Sequence, residues 1–452
     1  MSWLASLNAR GAFRLTPRGP FNFTARGPMH EKAGPLDQSH LELFDAVVIG
    51  GGPSGATAAT DLAKRGFSVL LLDRAGRIKP CGGAIPPRCI TDFEIPDELI
   101  VAKVNCARIV SPTNKQVDMP IDGNGYVGMV DRDTFDEWLR ERAQKAGATR
   151  RTGTFDTLTR DRDGTAVVSY KLPASRSGGG TPPGGTIGAV RAKCVVGADG
   201  ALSAVAKQAI PGGAKTPFVF AYHEIIKSPA RGAEPVAKST NGSEFADTRC
   251  DVYYTGTLSP DFYAWIFPHG DTTSVGTGSA HKGFSLKDAV SSLRQTTGLD
   301  GYETIRREGA PIPLKPLRRW DNGRDVVLAG DAAGVVAPAS GEGIYYAMYG
   351  GRLSAGAAGE FLSTGNPRAL GSARKTFMKS HGTVFWVLGV MQHFWYRNDN
   401  RRERFVTMCS DKDVQALTWQ SYMHKELKRT KPMAHVRIFI KDMAHLCGFV
   451  AP

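Results

Sequence analysis

The sequence predicts an α/β chain in which a Rossmann-type unit is interrupted by an antiparallel sheet and followed by a helical region. Three observations predict it. Residues 44–73 read strand, helix, strand around a glycine-rich turn; short aromatic and β-branched runs with turn signals recur from about 218 to 278; and the last hundred residues are helical and Arg-rich in texture. At 452 residues the chain is too long for one simple core. Hydrophobic residues make up 41% and charged residues 22%, ordinary globular usage that argues against wholesale disorder. No run approaches the roughly 18 apolar residues that a spanning helix needs.

Taken in order, residues 1–43 read as a leader. Arg10, Arg14, Arg18 and Arg26 are interleaved with Gly and Pro, and no acid appears before Glu31, a composition like that of an organelle-targeting segment. The plainer reading is a disordered extension, or an over-extended start with Met29 as the later one. Phe44–Ile49 is a run of β-formers that predicts a buried parallel strand. Pro53–Arg65 is Ala-rich and helical, closed by Gly66, and Val69–Leu72 is a second buried strand. Phe135, Trp138 and Leu139 stand at helical spacing within 134–146. Ala166–Tyr170 and Val190–Val196 are strands, with a flexible Gly/Pro/Ser loop at 173–188 between them. The α/β texture returns at Asp325–Ala329. The expected layout is a discontinuous dinucleotide-binding domain (44–110, 131–212 and 316–362), an antiparallel substrate domain (111–130 and 213–315) and a C-terminal helical region (363–452).

Lys and Arg number 57 against 43 Asp and Glu, a net charge of +14. No helix-turn-helix, RNA-binding or zinc-finger pattern accompanies the charge, so nucleic acid is not an expected partner; an anionic membrane surface or a phosphate-bearing ligand remains. The seven cysteines are irregularly spaced and none forms CxxC. That supports no disulfide framework and no metal site, and points to a reducing compartment.

The chemistry-bearing motifs are three. Gly50, Gly52 and Gly55 fill GxGxxG, with Pro53 and Ser54 opening the helix and Asp73, followed by Arg74, ending the next strand. Those glycines allow the tight turn, the approach of a pyrophosphate and close helix–strand packing; the helix N-terminus offers free N–H groups, and the acid can accept from ribose hydroxyls. Val195–Gly200 carries Asp199, and Ala329–Gly334 carries Gly330 and Asp331; each ends a strand in a small-residue turn, and the second is expected to open a helix.

These ordered segments resemble the fingerprints of flavoproteins with the para-hydroxybenzoate hydroxylase-like fold. That resemblance implies FAD, held by the residues just named. It places Asp331 at the ribityl chain, Gly341, Gly343 and Ile344 near the isoalloxazine, and Arg132 near the phosphates. Lys79–Arg88 (KPCGGAIPPR), Pro260–Gly270 (PDFYAWIFPHG) and Val327–Met348 (VLAGDAAGVVAPASGEGIYYAM) look like the geranylgeranyl reductase family, in its chlorophyll and bacteriochlorophyll branch. The likeness covers residues 44–450. It implies an NADPH-dependent reduction of three double bonds of a geranylgeranyl chain, giving the phytyl form, with the chain carried on bacteriochlorophyll or chlorophyll or as the diphosphate. No second Rossmann motif is visible for NADPH, so the nicotinamide is expected to visit the flavin transiently. The leader is a departure, since bacterial members generally lack one.

An isolated alkene needs a hydride at one carbon and a proton at the other, delivered in a dry pocket. Cys81 is a candidate proton donor, or else a packing residue; Gly82 and Gly83 would let the backbone pass close to the ring. Tyr263, Trp265 and Phe267 alternate on one strand face, as a substrate wall or as plain core. Pro432–Pro452 is basic and amphipathic, which suits an anionic bilayer surface or a helix packed on the protein. The expected location is therefore the cytoplasmic face of a membrane, with organelle targeting by the leader left open. The rival readings are a flavin monooxygenase of the same fold, an archaeal-type lipid prenyl reductase and a non-catalytic prenyl-binding escort.

Overall fold

The computed structural model describes residues 38–74, 78–123, 125–173, 186–230, 239–242 and 244–425. Nearly all of the leader, most of the 173–188 loop and the whole Pro432–Pro452 stretch lie outside the described residues. The helices among them are α1 (Pro53–Lys64), α2 (Pro87–Asp92), α3 (Arg132–Lys145), α4 (Ala204–Ala209), α5 (Leu286–Thr296), α6 (Ile344–Thr364), α7 (Ser372–Trp395), α8 (Asp399–Met408) and α9 (Lys412–His424).

Two seven-stranded sheets organise the molecule. In the first, Thr149–Thr152, Val69–Asp73, Leu43–Ile49, Ile187–Gly197 and Val326–Leu328 run parallel in that order. Ala166–Lys171 and Thr154–Arg160 add to it as an antiparallel ribbon. The apolar runs Val47–Val48 and Leu70–Leu71 are wholly buried, as expected of strands covered on both faces. Pro53 starts α1 with its φ already helical, and Gly66 at φ 84° turns the chain out of it. Small residues let α6 lie close on α1; a Cβ at Gly351 would overlap the Ser54 carbonyl.

The second sheet has the order Thr304–Pro313, Phe218–Lys227, Thr272–Ser279, Ala264–His269, Arg249–Tyr253, Cys106–Val110, Gln116–Pro120. It is antiparallel except where Arg249–Tyr253 meets Cys106–Val110. The expected domain boundary at 110/111 thus falls inside a hairpin of this sheet. Register partners place Ile109, Val252, Trp265, Gly276, His223 and Glu308 in one row on one face. Leu388, Met391 and Phe394 of α7 pack against the cluster that holds Tyr263 and Trp265. One expected element differs: the Ala329–Gly334 run opens no long helix but a single 3-10 turn, Gly330–Ala333, which Gly334 leaves at φ 81°. The long helix starts later, at Ile344.

Candidate functional site

A cavity of about 650 Å³, ligand-sized rather than a packing void, is lined by both sheets and by α9. Its polar end lies past the carboxyl ends of Leu43–Ile49 and Val69–Asp73, the usual binding position in open α/β sheets. Gly50 sits at φ 104°, and a side chain there would strike the Ala198 carbonyl; one at Gly55 would strike the Gly50 carbonyl. Gly52 faces no atom within 4 Å, so a ligand can reach the free N–H groups at the start of α1, beside Pro53 and Ser54. Burial pushes the Asp73 carboxyl up, opposed by the Gly51 amide and Arg140. Arg140 Nη1 stands 3.3 Å from both Asp73 Oδ2 and the Gly51 carbonyl. Arg74 lines the same end. An open glycine cradle, a helix N-terminus and a buried acid fit the phosphates and ribose of FAD.

Three sequence-predicted residues have unexpected partners. Asp199 lines the cavity, but its carboxylate accepts from Ser203 Oγ at 2.5 Å and from the Ala204 amide at 2.6 Å, which caps α4. Arg132, expected beside phosphates, is buried and holds both oxygens of Asp136 at 2.8 and 2.7 Å. Burial works against the Arg132 charge, yet the neighbouring Asp136 and Cys81 outweigh it and raise its pKa. Asp331 is buried and ion-paired with Lys79, a residue whose part sequence reasoning missed. Gly330 packs on Ser54, while Gly341, Gly343 and Ile344 line the cavity.

The apolar end is walled by Ile109, Val252, Tyr254, Phe262, Tyr263, Trp265 and Phe267, with Trp419 and Tyr422 contributed by α9. The Tyr263 hydroxyl donates to the Ser340 carbonyl at 2.7 Å, and burial pushes the phenol up. Trp265 Nε1 donates to Ser274 Oγ at 3.0 Å. Ser274 in turn lies 2.9 Å from His223 Nδ1, and His223 Nε2 lies 3.2 Å from Glu308. The polar atoms of Tyr263 and Trp265 are thus spent on the protein.

Cys81, Gly82 and Gly83 line the junction of the two ends. The Gly83 amide donates to Cys81 Sγ at 3.4 Å. A Cβ at Gly82 would meet the Phe267 ring at 3.0 Å, and one at Gly83, at φ 72°, would overlap His269 and the Val130 carbonyl. Protein packing and backbone conformation thus call for glycine at 83, while at 82 a side chain would press on the Phe267 ring. His269 braces the loop, with Nε2 3.0 Å from the Gly82 carbonyl and Nδ1 3.0 Å from Asp131. Beside Gly341, buried Glu342 pairs with buried Lys425 at 2.8 Å, and Lys425 also lies over the Tyr422 ring. Trp419 and Tyr422 left no signal in the sequence, because only the fold brings them to the cavity; Lys425 stood out there only as one of the basic residues before Pro432, and its pairing with Glu342 was not foreseen. Among the described residues no cluster could hold a metal ion.

An NAD(P)-binding Rossmann-like domain matches residues 48–88, and an FAD binding domain matches 106–352. The chain is 55% identical to geranylgeranyl diphosphate reductase of Rhodobacter capsulatus over 90% of its own length and 99% of that protein. It is 36% identical to geranylgeranyl diphosphate reductase of Synechocystis, over 88% of this chain and 97% of the other. A solved geranylgeranyl bacteriochlorophyll reductase-like protein of Thermoplasma acidophilum superposes with a TM-score of 0.71 at 22% identity, covering 87% of this chain and 99% of that one.

Proposed function

The chain belongs to the geranylgeranyl diphosphate reductase family, and from that premise we propose that it is an FAD enzyme that uses NADPH to saturate three of the four double bonds of a geranylgeranyl chain. The chain is carried as the diphosphate or on bacteriochlorophyll or chlorophyll, and the product is the phytyl form. The observation that carries this reading is one cavity with a dinucleotide cradle at one end and an aromatic, apolar wall at the other.

The cradle of Gly50, Gly52 and Gly55, with Asp73 and Arg140, would hold the FAD, and the bound flavin, reduced by NADPH, supplies the hydride. The protein's own side chains do the rest. Val252, Tyr254, Tyr263, Trp265 and Phe267 exclude water and grip the isoprenoid by its surface. At about 0.8 kcal/mol per buried CH₂, full burial of a twenty-carbon chain contributes up to roughly 16 kcal/mol before ordering costs. Such grip is non-directional, so the chain can slide and present successive double bonds. Cys81, at the junction and beside the Arg132 cation, holds the proton for the second alkene carbon. Tyr263 is unsuited to that role, because its hydrogen is committed to Ser340 and burial holds it there.

The test is direct. Purified protein is incubated with NADPH and with each substrate form, and the product is weighed. Stepwise gains of two hydrogens are expected; an unchanged substrate mass, or O₂ uptake in step with NADPH and a gain of oxygen as in a monooxygenase, ends the reading. Work at a membrane surface, on its cytoplasmic face, is part of the same proposal. It is supported by the +14 net charge and by the insolubility of the substrate. Among the described residues no helix is long and apolar enough to cross a membrane.

A further inference from the structure

Helix α7 carries an outer face that the fold leaves bare. Trp386 is 69% exposed, Val390 49% and Val387 37%, whereas most large apolar side chains of the core lie below a few per cent. Spacings of three and four align Lys375, Lys379, Thr383, Trp386, Val390 and His393 into one exposed stripe, and exposed Arg397 follows just past the helix end, so the apolar patch is bracketed by basic residues at both ends. The 24 residues of α7 include no acid. Its opposite face is one layer from the cavity. Leu388, Met391 and Phe394 pack on the Tyr263–Trp265 cluster, and Gln392 accepts the Ala339 amide at 3.3 Å.

We infer that this stripe of α7 docks on the surface of an anionic bilayer, with Trp386 and Val390 in the headgroup–acyl boundary and the flanking cations on lipid phosphates. The proposal rests on the membrane-surface reading above. Charge decides the occupant. A second copy related by two-fold symmetry would bring like-charged stripes together, and the chain's own residues 426–452, with five Lys and Arg against two acids, are basic too. An acidic surface with an apolar interior matches both halves of the pattern, and a tryptophan is well suited to that boundary. Docking by this face would set the lipid supply one helix away from the aromatic wall.

The experiment is co-sedimentation of the full chain, with FAD bound, with vesicles of phosphatidylcholine alone or mixed with phosphatidylglycerol. Wild type should pellet with the anionic vesicles. Trp386→Ser with Val390→Ser should lower the bound fraction about tenfold. Lys375→Glu with Lys379→Glu should abolish the preference for phosphatidylglycerol. Unchanged melting temperature, flavin content and activity on detergent-dispersed geranylgeranyl diphosphate show that the variants are intact. Undiminished vesicle binding by the Trp386/Val390 variant overturns the α7 assignment while membrane association stands. No binding by wild type overturns both, and a fall in solution mass of that variant instead makes the patch a self-interface. Loss of reductase activity in wild type would sink the catalytic reading and leave the vesicle result untouched.

Discussion

Cys81 sits between a cation and an apolar wall, with the Gly83 amide directed at its sulfur. If it supplies the proton, Cys81→Ala should lower kcat about 10²-fold or more while the flavin spectrum and KM change little. A variant that keeps its kcat would return Cys81 to packing. Gly55 gives a second test. Any side chain there strikes the Gly50 carbonyl, so Gly55→Val should purify colourless yet folded, read by absorbance and circular dichroism. The glycine turn was legible in the sequence because its geometry is local: strand, turn and helix N-terminus are contiguous. Lys79 on Asp331 was not, since the two are far apart in sequence and only folding sets their distance; Asp136 on Arg132 is an i,i+4 pair of α3 whose spacing stood in the sequence and went unread. Arg132 illustrates the gap. It lines the cavity, and its partner Asp136 was not foreseen.

Two elements meet at a seam that should answer to acid. His381 of α7 is buried among Tyr345, Tyr346, Tyr349 and Phe377, and burial first, then the Lys425 and Arg88 cations, lower its pKa from 6.5 to about 4. A histidine held neutral in the fold stabilises it fully above the unfolded value; the unfolded chain takes up the proton as pH falls through 6.5. The loss should reach about 3 kcal/mol near pH 4 and then level off. Urea midpoints of wild type and His381→Phe at pH 7 and 4.5 check this, and the variant should lack most of the His381 part of the slope. At the end of α9, Lys425→Met strands the buried Glu342 carboxylate and should cost about 3–5 kcal/mol. Adding Glu342→Gln should recover most of it; if the double variant is as weak as the single, the pair is not what holds the loop. Strands and helices with clear periodicity were readable, including Leu43–Ile49, α1 and the antiparallel run after Phe218. The Gly330–Ala333 turn was over-read as a helix start, because small residues alone do not specify one when glycines bracket them at positive φ.

For the whole molecule, cofactor and fold are linked. FAD at 100 times its dissociation constant should stabilise the native state by about 2.7 kcal/mol, seen as a rise in melting temperature that Gly55→Val does not show. The interleaving of α/β and antiparallel segments was visible in the texture of the chain, but the allegiance of Cys106–Val110 was not, since strand alternation reads alike whichever sheet receives it. The closing of the cavity by α9 was equally invisible. It has a consequence in time. Translation delivers the nucleotide cradle near the start of the chain and the Trp419–Tyr422 wall near the end of the described residues, so a nascent molecule acquires somewhere to park its coenzyme well before it owns a chamber that can shelter grease from water.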